Sequence, residues 1–189
     1  MQYSLTTSKL VALLGVVGVL PLVACHGLSR RQTEDVGGAQ NAWEQDTGIV
    51  STFLSNAATF SGATLVAQAQ QALNAENDEL THKAVLDAVF LNVADPNPLV
   101  VQANEVLVGE QTFNNVVINL QTFVDEGASF STQDIINLVG VINGVRCTEV
   151  LPAIDLYFQA AAEVVQDGIQ LTAVRPTNCP SGSKQKREL

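Results

Sequence analysis

The residues best placed to do chemistry are Glu76, Asp78, Glu79 and His82, in the run Glu76-Asn-Asp-Glu-Leu-Thr-His-Lys83. Glu79-Leu-Thr-His82 has the Glu-x-x-His spacing that puts a carboxylate and an imidazole on one helix face toward a metal in ferritin-like proteins. Such centres need a second Glu-x-x-His and two further glutamates. The chain has two histidines, and His26 precedes the mature region defined below, so His82 has no second motif to join. A one-histidine site would have to draw on Glu105, Glu110 or Glu149. The competing reading is a solvated helix face, with Glu79 and Lys83 as an i,i+4 ion pair and Asp78 touching His82. Nucleophilic catalysis lacks its parts: there is no Gly-x-Ser-x-Gly, and His82 is the one imidazole on hand. Phosphate-cradling glycine loops are missing as well. Lys83 and Arg146 suit a role as buried partners of helix carboxylates. No catalytic residue, metal or cofactor is expected, although a metal-dependent enzyme using Glu79 and His82 stays as the remote alternative.

The elements that carry these residues read as helices throughout. Cys147 to Gln166 has Val150, Ile154, Phe158, Ala161 and Val165 at spacings of three and four. Leu151, Tyr157, Ala162 and Val164 widen that surface, leaving a polar stripe of Asp155, Gln159, Glu163 and Gln166. A helix this apolar belongs at the centre of a bundle. Pro152 fits its first turn and Gly168 its end. The expected fold is all-α, a single bundle of about six helices around this C-terminal helix.

Ahead of it, Gln32 to Gln40 reads as irregular, and a first helix spans about Ala39 to Ala57, anchored by Trp43. The segment Gly62 to Phe90 is one long helix or two, broken near Asn74 to Asp78; Leu65, Ala69, Leu73, Leu80 and Ala84 share its register. Asn97 caps a helix with Pro98 at its first position, and Gly109 closes it. Another runs from about Glu110 to Asp125 on Phe113, Val116 or Val117, Leu120 and Phe123. Ser131 and Asp134 form a capping box for a fifth, about Thr132 to Asn143, with Ile135, Ile136, Val139 and Ile142, ended by Gly144.

Both ends carry processing signals. Leu10 to Ala24 is an apolar run of signal-peptide length, so residues 1–24 read as a signal peptide. Leu22 to Cys25 also matches a lipobox. Arg30-Arg31 would end a short propeptide at 25–31, as a dibasic site for a Kex2-type protease, and Lys186-Arg187 is a second such pair. The final Lys-Arg-Glu-Leu distantly resembles a retention signal. The domain then occupies 32–168, with an irregular tail at 169–189.

Charge excludes some partners. The chain carries −10 overall, and its cations cluster at the ends. Between residues 32 and 183 only Lys83, Arg146 and Arg175 face 18 acids, a net −15. That body repels phosphate backbones and anionic membranes, so nucleic acid is excluded as a partner. Of three cysteines, Cys25 falls near the cleavage region. Cys147 and Cys179 remain and are expected to pair in an oxidising compartment. Closing that loop stabilises by roughly 3–4 kcal/mol. There is no N-glycosylation sequon.

The signal segment and Arg30-Arg31, with Gly-Gly-Ala-Gln-Asn-Ala-Trp-Glu-Gln-Asp-Thr (37–47), Glu-Asn-Asp-Glu-Leu-Thr-His-Lys (76–83), Arg146-Cys147 and Val-Leu-Pro-Ala-Ile-Asp (150–155), resemble uncharacterised small secreted helical proteins of filamentous fungi. The resemblance covers about residues 32–180 and implies no functional residue. In size, acidity and helix content the chain is loosely similar to fungal cell-wall galactomannoproteins and hydrophobic-surface-binding proteins. The function expected is that of a secreted, non-enzymatic protein binding at the cell wall, a host target or a hydrophobic surface, through an unknown protein, lipid or wall polymer and without a stable membrane span. A carrier of a small apolar ligand in a bundle cavity is the alternative.

Overall fold

The computed structural model describes residues 24–180, and the side chains from Asp35 onward. The signal segment up to Val23, the side chains of Cys25, Arg30 and Arg31, and Lys186-Arg187 lie outside those bounds. The described chain is all-α. Five helices follow one another: α1 (Ala24–Asn56), α2 (Gly62–Phe90), α3 (Pro98–Asn104, continued by a π-turn at Glu105–Gly109), α4 (Thr112–Glu126) and α5 (Thr132–Val165). Single 3₁₀ turns at Ala57–Thr59 and Gly127–Ser129 close α1 and α4.

The count is five rather than six because Gly144 does not end a helix. Thr132–Val145 passes through a π-turn at Arg146–Val150 into Leu151–Val165 without a break. Pro152 explains the local widening. A proline inside an α-helix clashes with the carbonyl four residues back, here that of Thr148, and the looser i→i+5 turn relieves the crowding. Arg146 and Cys147, both buried, sit in that turn. By length and composition Thr132–Val165 is apolar enough to cross a membrane, yet 44% of its most apolar window is buried inside the protein.

Two further expectations change. Gln32 to Gln40 belongs to α1 instead of being irregular, because Val36 and Ala39 continue the buried stripe of Trp43 and Val50. Packing there overrides the poor helix propensity of Gly37-Gly38. In α2, which is one helix, the buried stripe runs Leu65, Ala69, Leu73, Glu76, Glu79, Lys83, Leu86 and Phe90. Leu80 and Ala84 face solvent instead. Ile136 is likewise exposed on α5.

Other local signals hold. Asn97 Oδ1 accepts from the Leu99 N–H at 2.9 Å, with Pro98 at the first position. Ser131 Oγ accepts from the Asp134 N–H, and Asp134 Oδ2 accepts from the Ser131 N–H at 2.9 Å. The Asp134 carboxyl is held below its ordinary range by the Ser131 hydroxyl, which donates to Oδ2 at 2.6 Å, and by the Ser131 N–H.

α2 packs between α1 and α4, and the second half of α5 packs on α1 and α3. Their shared interior is aromatic. Trp43 lies 5.2 Å from Tyr157 and 5.9 Å from Phe158, ring to ring. Tyr157 is fully buried and donates to Asp87 Oδ1 at 2.7 Å. Burial and the adjacent carboxylate push its phenol well above the usual range.

The tail after α5 is irregular and fastened. Cys147 and Cys179 are joined by a disulfide, a bond of oxidising compartments. The Val174 N–H donates to Thr47 Oγ1 at 2.9 Å, and Ser51 Oγ donates to Val174 O at 2.6 Å. Asn178 Nδ2 donates to Leu54 O at 2.9 Å. Asp155, expected on a solvated stripe, is buried instead: it accepts from the Ala173 N–H at 2.8 Å and pairs with Arg175.

Candidate functional site

The polar residues of α2 divide between two neighbouring clusters. The inner one is built on Arg146, which the π-turn of α5 aims at α2. Its Nη1 lies 2.5 Å from Glu76 Oε2 and its Nη2 lies 3.0 Å from Glu79 Oε1; all three residues are fully buried. Trp43 Nε1 donates to Glu79 Oε2 at 2.8 Å. Trp43 is therefore a core anchor that also carries a polar contact.

One guanidinium serves two carboxylates, and this sets their protonation. Burial pushes both Glu76 and Glu79 up, and the attraction of Arg146 offsets only part of the rise. Glu76 is further raised by Glu79 and Asp46. Glu76 Oε1 and Arg146 Nε are buried without hydrogen-bond partners.

The outer cluster brings α1 to α2. Asp46 Oδ2 lies 3.2 Å from His82 Nε2, and Asp78 Oδ2 lies 3.7 Å from the same nitrogen. Asp78 and His82 share a face because they are four residues apart. Asp46 belongs to α1 and is 9% exposed. Burial raises its carboxyl, with His82 pulling the other way. Asp46 and Asp78 line a surface groove of about 760 Å³ between α1 and α2, with Ile49, Gln71, Asn74 and Asn77. A second groove of about 480 Å³ shares Ile49 and Gln71 with it and adds Gln45, Gln68, Phe53 and Phe60.

The sequence-derived candidates thus separate. Glu79 points into the core toward Arg146, while His82 meets Asp46 and Asp78, so Glu79 and His82 do not converge on one centre. Glu79 does not pair with Lys83; Lys83 bonds Asp87 Oδ2 and Asn104 Oδ1, each at 2.7 Å. The Asp78–His82 contact is present. Glu110 and Glu149 line a different groove of about 410 Å³, and Glu105 is exposed on α3. Lys83 and Arg146 are indeed buried partners of helix carboxylates. Asp46 was missed because nothing in its own segment marks it; only the α1–α2 packing places it at His82.

The chain matches no protein family, no curated protein and no solved structure.

Proposed function

We propose that this is a secreted, non-enzymatic protein, a single helical bundle around the second half of α5, that acts by binding. The bound partner is a neutral polyhydroxylated polymer of the cell-wall kind, held in the paired grooves between α1 and α2. The observation that carries this reading is the groove lining. Gln45, Gln68, Gln71, Asn74 and Asn77 offer amides along a path floored by Ile49, Phe53 and Phe60. Amides match sugar hydroxyls as both donors and acceptors, and apolar side chains match sugar ring faces. The net −15 of the body disfavours polyanions as occupants.

Catalysis has less support. Arg146 pairs with Glu76 and Glu79 in the interior, away from a substrate's reach. The carrier alternative also has less support, since the spaces of about 760 Å³ and 480 Å³ beside α1 and α2 are open surface grooves. The signal segment, the dibasic pairs and the resemblance to secreted fungal proteins all favour secretion, and the Cys147–Cys179 bond agrees with it.

The test is cosedimentation with insoluble chitin, β-glucan and mannan. The protein should pellet with at least one of them. Ile49→Asp, at a half-exposed position, should remove it from the pellet. A protein that stays in the supernatant with all three, yet adsorbs to alkyl beads, would instead support action at a hydrophobic surface.

A further inference from the structure

We propose that Asp46, Asp78 and His82 form a binding site for a divalent cation of the zinc class, set in the wall of the α1–α2 groove. The site does not depend on what polymer the groove takes.

The geometry comes first. One donor atom from each residue lies within 4.8 Å of the others. Ligands of a tetrahedral zinc ion, at about 2.0–2.2 Å from the metal, stand about 3.3–3.6 Å apart. His82 Nε2 sits at 3.2 Å from Asp46 Oδ2 and 3.7 Å from Asp78 Oδ2. Two of the three edges are therefore already close to the required lengths. Three protein ligands beside an open groove leave a fourth position for water or a bound hydroxyl, as in zinc sites with an exchangeable ligand.

A second observation points to a missing cation. Asp46 Oδ2 is buried and meets His82 Nε2 at 3.2 Å, a contact short of hydrogen-bond geometry. A buried carboxylate oxygen left in this way is costly unless a cation meets it. The surroundings add to that demand. Glu76 and Glu79 are buried on α2 within two residues of Asp78. Four carboxylates face one guanidinium, Arg146, and one imidazole, His82. A dication supplies the missing positive charge.

The donor set selects the ion. An imidazole nitrogen with two carboxylates suits zinc and its first-row neighbours. Calcium takes six to eight oxygens, and magnesium holds its own waters. Neither gains from His82.

The experiment is calorimetric titration of Zn²⁺ into the EDTA-treated, dialysed full chain with no polymer present. One equivalent should bind. Asp78→Ala and His82→Gln should each weaken binding about tenfold or more, while circular dichroism stays unchanged. Asp78 has a 58% exposed side chain, so its removal leaves the fold intact. Millimolar Mg²⁺ should not displace the zinc. The proposal fails if the wild-type chain takes up no zinc. It fails equally if both variants bind as the wild type does, which would move the ion to His26 or scattered surface carboxylates. Failure of the polymer test would leave this result untouched, and the reverse also holds.

Discussion

Arg146 and Glu76, 70 residues apart in the chain, meet at 2.5 Å with neither side chain exposed. That contact joins the π-turn of α5 to the middle of α2, and Glu79 completes it from one turn further along. The most polar stretch of the sequence is thereby held inside the protein. Arg146→Met would leave two carboxylates buried without their cation. Breaking a buried pair from one side costs about 3–5 kcal/mol, so urea denaturation should show a loss of that size. Adding Glu76→Leu and Glu79→Leu to the same chain should recover much of it, because the unpaired charges are then gone.

The same cluster makes stability depend on pH. In the unfolded chain Glu76 ionises near its ordinary 4.5, whereas the folded chain holds its proton to higher pH. Between those two values the folded state binds more protons, so stability falls as pH rises through the window and is fully present below 4.5. Glu79 acts in the same direction. Thermal melts should give a higher Tm at pH 5 than at pH 8, with a shallower slope in Glu76→Gln. Equal slopes in the two proteins would show that Glu76 does not hold the proton.

Cys147 and Cys179 close a segment with a sequence separation of 32. On loop entropy the bond stabilises by about 3–4 kcal/mol. Cys147→Ser with Cys179→Ser should lower stability by that amount. Hydrogen exchange should then accelerate at the tail amides of Val174 and Thr177, which are bonded to α1 side chains in the intact protein.

Ser131 caps α5 through its reciprocal bonds with Asp134. Replacing such a cap by alanine costs about 0.5–2 kcal/mol. Ser131→Ala should therefore reduce stability by about 1 kcal/mol in urea titration, with no change in helix content by circular dichroism.

Local signals were the legible part of this sequence. Asn97-Pro98 and Ser131…Asp134 act within three residues, so their geometry follows from spacing alone. The stripe on α4 was legible for a similar reason, since Phe113, Val116, Leu120 and Phe123 are apolar and buried together. The α2 register was misread because periodicity treats charge as a mark of solvent. Glu76, Glu79 and Lys83 are buried only because Arg146, Trp43, Asp87 and Asn104 reach them from elsewhere. Gly144 looked like a stop because Pro152, which the π-turn accommodates, reads equally well as the first turn of a new helix. Likewise the Glu79–His82 spacing was visible, but helix rotation sends the two side chains to different clusters, and Asp46 enters only through tertiary packing.

The most direct test of the binding account is to map a soluble oligosaccharide of the retained polymer onto the protein by amide chemical shifts. The account predicts shifts concentrated on Ile49, Gln71, Asn74 and Phe60, along the paired grooves. Shifts confined to another face, such as the groove of Glu110 and Glu149, or no shifts at saturating oligosaccharide, would contradict it.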